Sequence, residues 1–256
     1  MLSHTLLILA SAIGAAHAAT RNQPLELKVL TAGAFKSAVV ALVPEYEKAS
    51  GNKVVVVNDT VGALAKRIAA GETFDVLVTT PAAIDGLAAS GKVVPGSRLD
   101  LARVGVGVMV KAGAPTPDVA TVKAFKTAVL AAKSVSYIDP ASGGSSGIYV
   151  AKLLERLGIA DQVKPKEKLK QGGYVADLIS SGEAELGIHQ ISEIVPAPGV
   201  TLVGPLPKEI QNYTTYAAGV SSAAKDKDAA VALVRFLSGP RTAEMLKSKG
   251  MEPAGS

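Results

Sequence analysis

Cysteine and tryptophan are both absent from the 256 residues. Without a thiol there is no disulfide, no thiolate metal site, no thiol redox couple and no cysteine nucleophile. Six Tyr and four Phe leave few rings on which sugars or single-stranded bases could stack. Histidine is scarce too, and two of the three, His4 and His17, sit close to the amino terminus. Charged residues make up only 19% of the chain against 48% hydrophobic ones, the balance of a globular protein rather than a disordered one. The net charge of +5 is dispersed, which argues against a nucleic-acid partner and suits attraction of a small anion. The densest basic run, Lys164-Pro165-Lys166-Glu167-Lys168 with Lys170, reads as a solvated loop or helix face. At this length one large or two ordinary domains can each bury a core.

Leu6 to Ile13 is a short apolar stretch, followed by Ala16-His17-Ala18 and Ala19-Thr20. A hydrophobic segment too short to span a bilayer, ending in a small-x-small site, predicts a secretory signal cut after Ala18. The segment departs from the usual pattern in having no Lys or Arg before its apolar part. No later run is long and apolar enough to cross a membrane. The expectation is an exported protein from which His4 and His17 are removed. His189 is then the only imidazole, and a multi-histidine zinc site is excluded.

Strand and helix patterns alternate along the remainder. Leu27 to Leu30 reads as a strand, and after Gly33 the positions Phe35, Val39, Leu42 and Tyr46 fall on one helical stripe, stopped by Ser50-Gly51-Asn52. Val54 to Val57 is a β-branched run that predicts a strand buried on both faces. A helix through Leu64 and Ile68, a strand at Asp75 to Val78 and a helix begun by Pro81 complete a first βαβαβα unit. A second round has strands at residues 104–110, 135–138 and 185–189 and helices at 122–131, 148–157 and 174–181. Thr214 to Val220 is a strand able to return to the first sheet, before a long helix ended by Gly239-Pro240 and a short one at 242–249. The pattern predicts an α/β protein with residues 19–102 and 214–256 in one lobe, 103–213 in another, and a cleft between them, where ligands tend to bind.

In open α/β sheets ligands sit beyond the carboxyl ends of the strands, facing helix N-termini. Four junctions of this kind are legible. The first is Gly33, Ala34, Phe35 and Lys36; the second Thr60, Val61 and Gly62; the third the loop Ser142 to Gly147, with Gly144, Ser145 and Ser146; the fourth His189 and Gln190. The Ser/Gly loop offers a backbone nest with hydroxyl donors, and it is no Walker loop, since no Gly-Lys-Ser/Thr follows. Lys36 in a first helical turn opposes the helix dipole unless an anion lies nearby; an outward, solvated Lys36 is the alternative. Asp59 and Asp139 end strands and read as turn or cap residues. His189 suits proton transfer near neutral pH, or a structural hydrogen bond at a strand end.

From about Leu25 to Met251 the chain resembles the periplasmic molybdate-binding proteins, class II solute-binding proteins of ABC importers. The resemblance rests on Ala41 to Val57, Leu64 to Gly71, Phe74 to Val78, Asp139-Pro140 with Gly147-Ile148-Tyr149, Leu186-Gly187-Ile188 and Phe236 to Pro240. It implies a two-lobed fold, each lobe a doubly wound sheet, closing on an anion held by neutral donors, in a monomer without metal or cofactor. Positions where that family places hydroxyls and a tyrosine on its oxyanion carry Ala34, Val61 and Gln190 here. Leaving those hydrogen bonds unmade costs about 1–3 kcal/mol each, so the resemblance implies a different ligand, a di- or tricarboxylate contacted by Lys36, Tyr149, the serine loop, His189 and Gln190. It further implies a periplasmic receptor handing that organic anion to an ABC permease. The alternative is an aconitate isomerase, which resembles the same family and would use His189 as base for an allylic proton shift.

Overall fold

The structure, a computed structural model, describes residues 24–239 and 241–254; the expected leader lies outside them. The first unit runs β1 (Glu26–Ala32), α1 (Gly33–Ser50), β2 (Lys53–Asp59), α2 (Val61–Ala69), β3 (Val76–Thr79) and α3 (Pro81–Ala89). A 13-residue strand, β4 (Leu99–Lys111), leads into α4 (Val122–Ala131), β5 (Val135–Ile138), α5 (Ser145–Arg156), α6 (Ala160–Val163) and β6 (Glu167–Lys170). Then come α7 (Ala176–Ser181), β7 (Leu186–Gln190), α8 (Ile191–Ile194), β8 (Val200–Pro205) and β9 (Tyr213–Val220). The chain closes with α9 (Lys227–Leu237), α10 (Thr242–Ser248) and β10 (Glu252–Pro253).

One curled mixed sheet in the order β2-β1-β3-β9-β4-β7-β5-β6 links everything. Parallel triples stand at the two ends, β2-β1-β3 and β7-β5-β6. Antiparallel β4 and β9 join them: β4 pairs with β9 over Leu99–Gly105 and with β7 over Val106–Val110. Where β4 changes partner, the Gln211 side chain takes over the ladder, accepting from Val106 N at 2.8 Å and donating to Val106 O at 2.9 Å.

The sheet is covered on both faces inside its outermost strands, and strand alternation sorts the side chains. Val29, Val76, Val78, Tyr216 and Ala218 face α1, α9 and α10, while Leu30, Leu77 and Ala217 face α2 and α3. In the second lobe Val106, Val108, Val135 and Ile188 pack under α4 and α5, and Met109 and Ile138 under α7 and α8. The α1 stripe of Phe35, Val39, Leu42 and Tyr46 is buried as its spacing predicts.

Three expectations are corrected. The valine run of β2 is not buried on both faces: β2 is the outermost strand and Val55 is 41% exposed. Helix α5 starts at Ser145 rather than Ile148, so Ser145, Ser146 and Gly147 form its first turn. Gly147 permits this, since a Cβ there would lie 2.1 Å from Ile138 O. The basic run is not merely a solvated loop or helix face. It holds a short 3-10 turn and β6, and Lys166 Nζ donates to Val129 O, Leu130 O and Ala132 O at 3.0, 2.6 and 2.7 Å. A cation thus caps the carboxyl end of α4, where the dipole favours it. Lys166→Met strands three carbonyls and is expected to cost about 1–3 kcal/mol in urea unfolding, with ligand binding unchanged.

Candidate functional site

Three helices begin at the carboxyl ends of parallel strands and converge on one cleft: α1 after β1, α2 after β2 and α5 after β5. None carries an acidic residue in its first turn, so their amino ends present partial positive charge without an internal counterion; in α2, Gly62 N and Ala63 N are already taken by Gly143 O and Thr60 Oγ1. The cleft has a volume of about 240 Å³. Gly33, Ala34, Thr60 and Val61 line it from the first lobe, and Gly144, Ser145, Ser146, His189 and Gln190 from the second.

Five expected residues do not line the cleft. Phe35 is fully buried in the first lobe's core. Lys36 lines a separate cavity, its ammonium 5.5 Å from the centre of the Tyr174 ring; two residues past cleft-lining Ala34, it sits on another face of α1. The Tyr149 hydroxyl donates to Ile210 O at 2.6 Å and its ring packs on the second core. Ser142 Oγ donates to Asp139 O at 2.7 Å, and Gly62 donates from its main chain to Gly143 O at 3.1 Å. Asp139 caps the turn Pro140–Ser142 through Ala141 N. Asp59 faces the cleft but is held by Arg67 at 3.3 Å, which is shared with Glu72.

The floor of the cleft is an acid–base pair. His189 is the penultimate residue of β7 and Glu193 lies one turn on in α8, with Nε2 and Oε2 3.2 Å apart and side-chain exposures of 2% and 9%. His189 Nδ1 has no partner among the described residues. Burial pushes the imidazole down to about 3 and the carboxyl up to about 8, each toward its uncharged form. Beside this pair runs a neutral chain: Gln190 Nε2 donates to Thr214 Oγ1 at 3.0 Å and to Ser145 Oγ at 3.3 Å, and Ser145 Oγ lies 3.3 Å from the Tyr216 hydroxyl. Burial raises the Tyr216 phenol, keeping it protonated. Gln190 Oε1, like His189 Nδ1, is buried and unpartnered, the condition of groups that await a ligand.

Glu193, Tyr216, Thr214 and Tyr174 escaped the sequence reading. The four-residue interval from His189 to Glu193 was visible, but it marks a shared face only once a helix is known to start at Ile191. Tyr216 alternates into the core like any strand residue, and only the topology brings it to the cleft.

The family model of bacterial extracellular solute-binding proteins matches residues 27–252. The chain belongs to that family. An aconitate isomerase from a Pseudomonas species is 33% identical over 233 residues, covering 89% of this chain and 87% of the other. The molybdate-binding protein ModA of Azotobacter vinelandii is 28% identical over 260 residues, covering 97% and 98%. Among solved structures, the Azotobacter vinelandii periplasmic molybdate-binding protein superposes with a TM-score of 0.75 at 21% identity, covering 88% and 98%. The sulfate-binding protein SubI of Mycobacterium tuberculosis gives 0.72 at 16%, covering 90% and 88%. These solute-binding proteins share the two-lobed fold.

The pair makes stability pH-dependent in a way that separates its members. Glu193 binds its proton more tightly folded than unfolded, so its contribution is lost as pH rises from 4.5 toward 8. His189 binds its proton less tightly folded, so its contribution is lost as pH falls from 6.5 toward 3. Between pH 6.5 and 8 only Glu193 acts, and Glu193→Gln should flatten the decline in melting temperature there. Between pH 4.5 and 3 only His189 of the pair acts, beside the Glu72 carboxylate that Arg67 holds down to about 2, and His189→Gln should make that decline shallower. Differential scanning calorimetry across pH 3–9 checks both.

Proposed function

We propose that this protein is an exported, periplasmic, cofactor-independent isomerase that interconverts trans- and cis-aconitate. The observation that carries the reading is the buried His189–Glu193 pair on the cleft floor. A receptor for an anion gains nothing from a carboxyl group beside its ligand, where a neutral donor would serve. A base for carbon acids gains a great deal, because the carboxylate orients the imidazole and stabilises the imidazolium formed on proton transfer. The 33% identity to an aconitate isomerase along most of both chains supports the same choice.

The chemistry follows from the two nitrogens. With Glu193 ionised, Nε2–H donates to Oε2 and the Nδ1 lone pair is free. Nδ1 takes a proton from the methylene carbon, and the C–H electron pair moves into the adjacent double bond to give an allylic carbanion. Returning a proton to the far carbon of that system shifts the double bond and completes the isomerisation. The excess charge spreads onto the carboxylates, met by the N–H groups at the starts of α1 and α5, by Val61 N of α2, and by the hydroxyls of Ser145, Ser146 and Tyr216. When Glu193 holds its proton, its O–H donates to Nε2, Nδ1 carries the ring proton, and the base is disabled.

A second reading, a receptor that delivers a small organic anion to an ABC permease, is favoured by the relation to ModA along nearly the whole of both chains. Incubation of purified protein with trans-aconitate, following the cis isomer by NMR, decides between them. Turnover is expected, rising with pH toward about 8, abolished in His189→Ala and reduced about 100-fold or more in Glu193→Gln. Tight binding without turnover would establish the receptor instead.

A further inference from the structure

At the mouth of the cleft the two lobes meet through a main-chain contact with one side-chain hydroxyl beside it. Gly62, second residue of α2, belongs to the first lobe; Gly143, which follows the turn Pro140–Ser142, belongs to the second. Gly62 N donates to Gly143 O at 3.1 Å, and Thr60 Oγ1 donates to Ser142 O at 2.5 Å. A Cβ on Gly62 would stand 2.8 Å from Gly143 Cα, and one on Gly143 would stand 2.6 Å from Gly62 Cα. Both obstacles are backbone, which cannot rotate aside.

The two glycines are there for different reasons. Gly143 has φ +74°, a conformation its turn demands whatever lies opposite. Gly62 is in ordinary helical conformation, where glycine is a poorer helix former than alanine. Nothing in its own backbone requires it, so the close approach of the other lobe is what it serves. The neighbours on either side, Thr60 and Val61, Gly144 and Ser145, line the cleft.

We infer that Gly62 and Gly143 form a main-chain latch that seals the cleft over its ligand and thereby limits the size of acid it encloses. The latch does not depend on whether the enclosed acid is turned over or delivered. A methyl group on Gly62 has to be moved about 1 Å further from Gly143 Cα to reach van der Waals separation. That shift breaks the Gly62–Gly143 bond and leaves the mouth ajar while α2 itself is undisturbed. Gly86 in α3 supplies the control: it too is helical, and a Cβ there meets nothing within 4 Å.

Because the chain has no cysteine, spin labels can be placed at will on exposed α2 and α5 through Lys66→Cys and Lys152→Cys. Inter-lobe distances by pulsed electron resonance are then compared in the Gly62, Gly62→Ala and Gly86→Ala backgrounds, without ligand and with trans-aconitate. The expected result is a longer, broader distribution in Gly62→Ala alone, with an undiminished melting temperature. Calorimetric affinity for trans-aconitate should fall at least tenfold in that variant, and its preference over bulkier acids should narrow. Identical distance distributions in all three backgrounds would overturn the latch. If trans-aconitate binds to none of them, the assignment of substrate falls, and the ligand-free distances still decide the latch.

Discussion

The antiparallel pairing of β4 with β9 is the constraint from which the rest of the molecule hangs. The strands before β4 pack into the two clusters of the first lobe, and β5 and β7 into the two of the second. The relation between the cores is set by one 13-residue strand that pairs with β9 in its first half and β7 in its second. The same ladder carries Tyr216 and Thr214 to the cleft from one side and holds His189 and Gln190 on the other, through the pairing of Val106 with Gln190 and Gly107 with His189. Gln211 fills the gap where one ladder ends and the next begins, so the exchange leaves Val106 fully hydrogen-bonded.

The cleft combines two electrostatic themes usually kept apart. Its walls offer partial positive charge from helix starts and neutral hydroxyls, a cage for anions that needs no Lys or Arg. Its floor is a buried imidazole and carboxyl whose desolvation favours the uncharged state of each. An anion arriving above this floor raises the proton affinity of the pair through its own charge. Basic side chains near the cleft are engaged elsewhere: Arg67 by Asp59 and Glu72, Lys36 over Tyr174. The positive net charge of the chain thus acts at long range, while recognition at short range falls to the backbone.

Much of this was legible in the sequence, and what was not failed for identifiable reasons. The alternation of elements, the apolar stripe of α1 and the four strand–helix junctions follow from local periodicity, and all four junctions reach the cleft. Not every side chain followed. Lys36 and Tyr149 sit within three or four residues of cleft-lining positions, yet helical rotation points both away, and a phase error of one residue is enough to do so. The valines of β2 signal a strand but not its rank in the sheet, because strand order is a non-local property. Glu193 and Tyr216 became part of the site only through topology: one by a helix of four residues, the other by a strand returning from far along the chain.

The position of β2 carries a further consequence. Its outer side has no strand partner among the described residues, and it presents Val54 to Val57, a run of high β propensity with one valine substantially open to water. Such an edge is a template on which a second chain can dock its own backbone. Lys53 at one end and Asp59 at the other put charge at both limits of the run, the arrangement by which sheets discourage endless addition. Self-association of this protein at high concentration, should it arise, has its natural starting point at that margin.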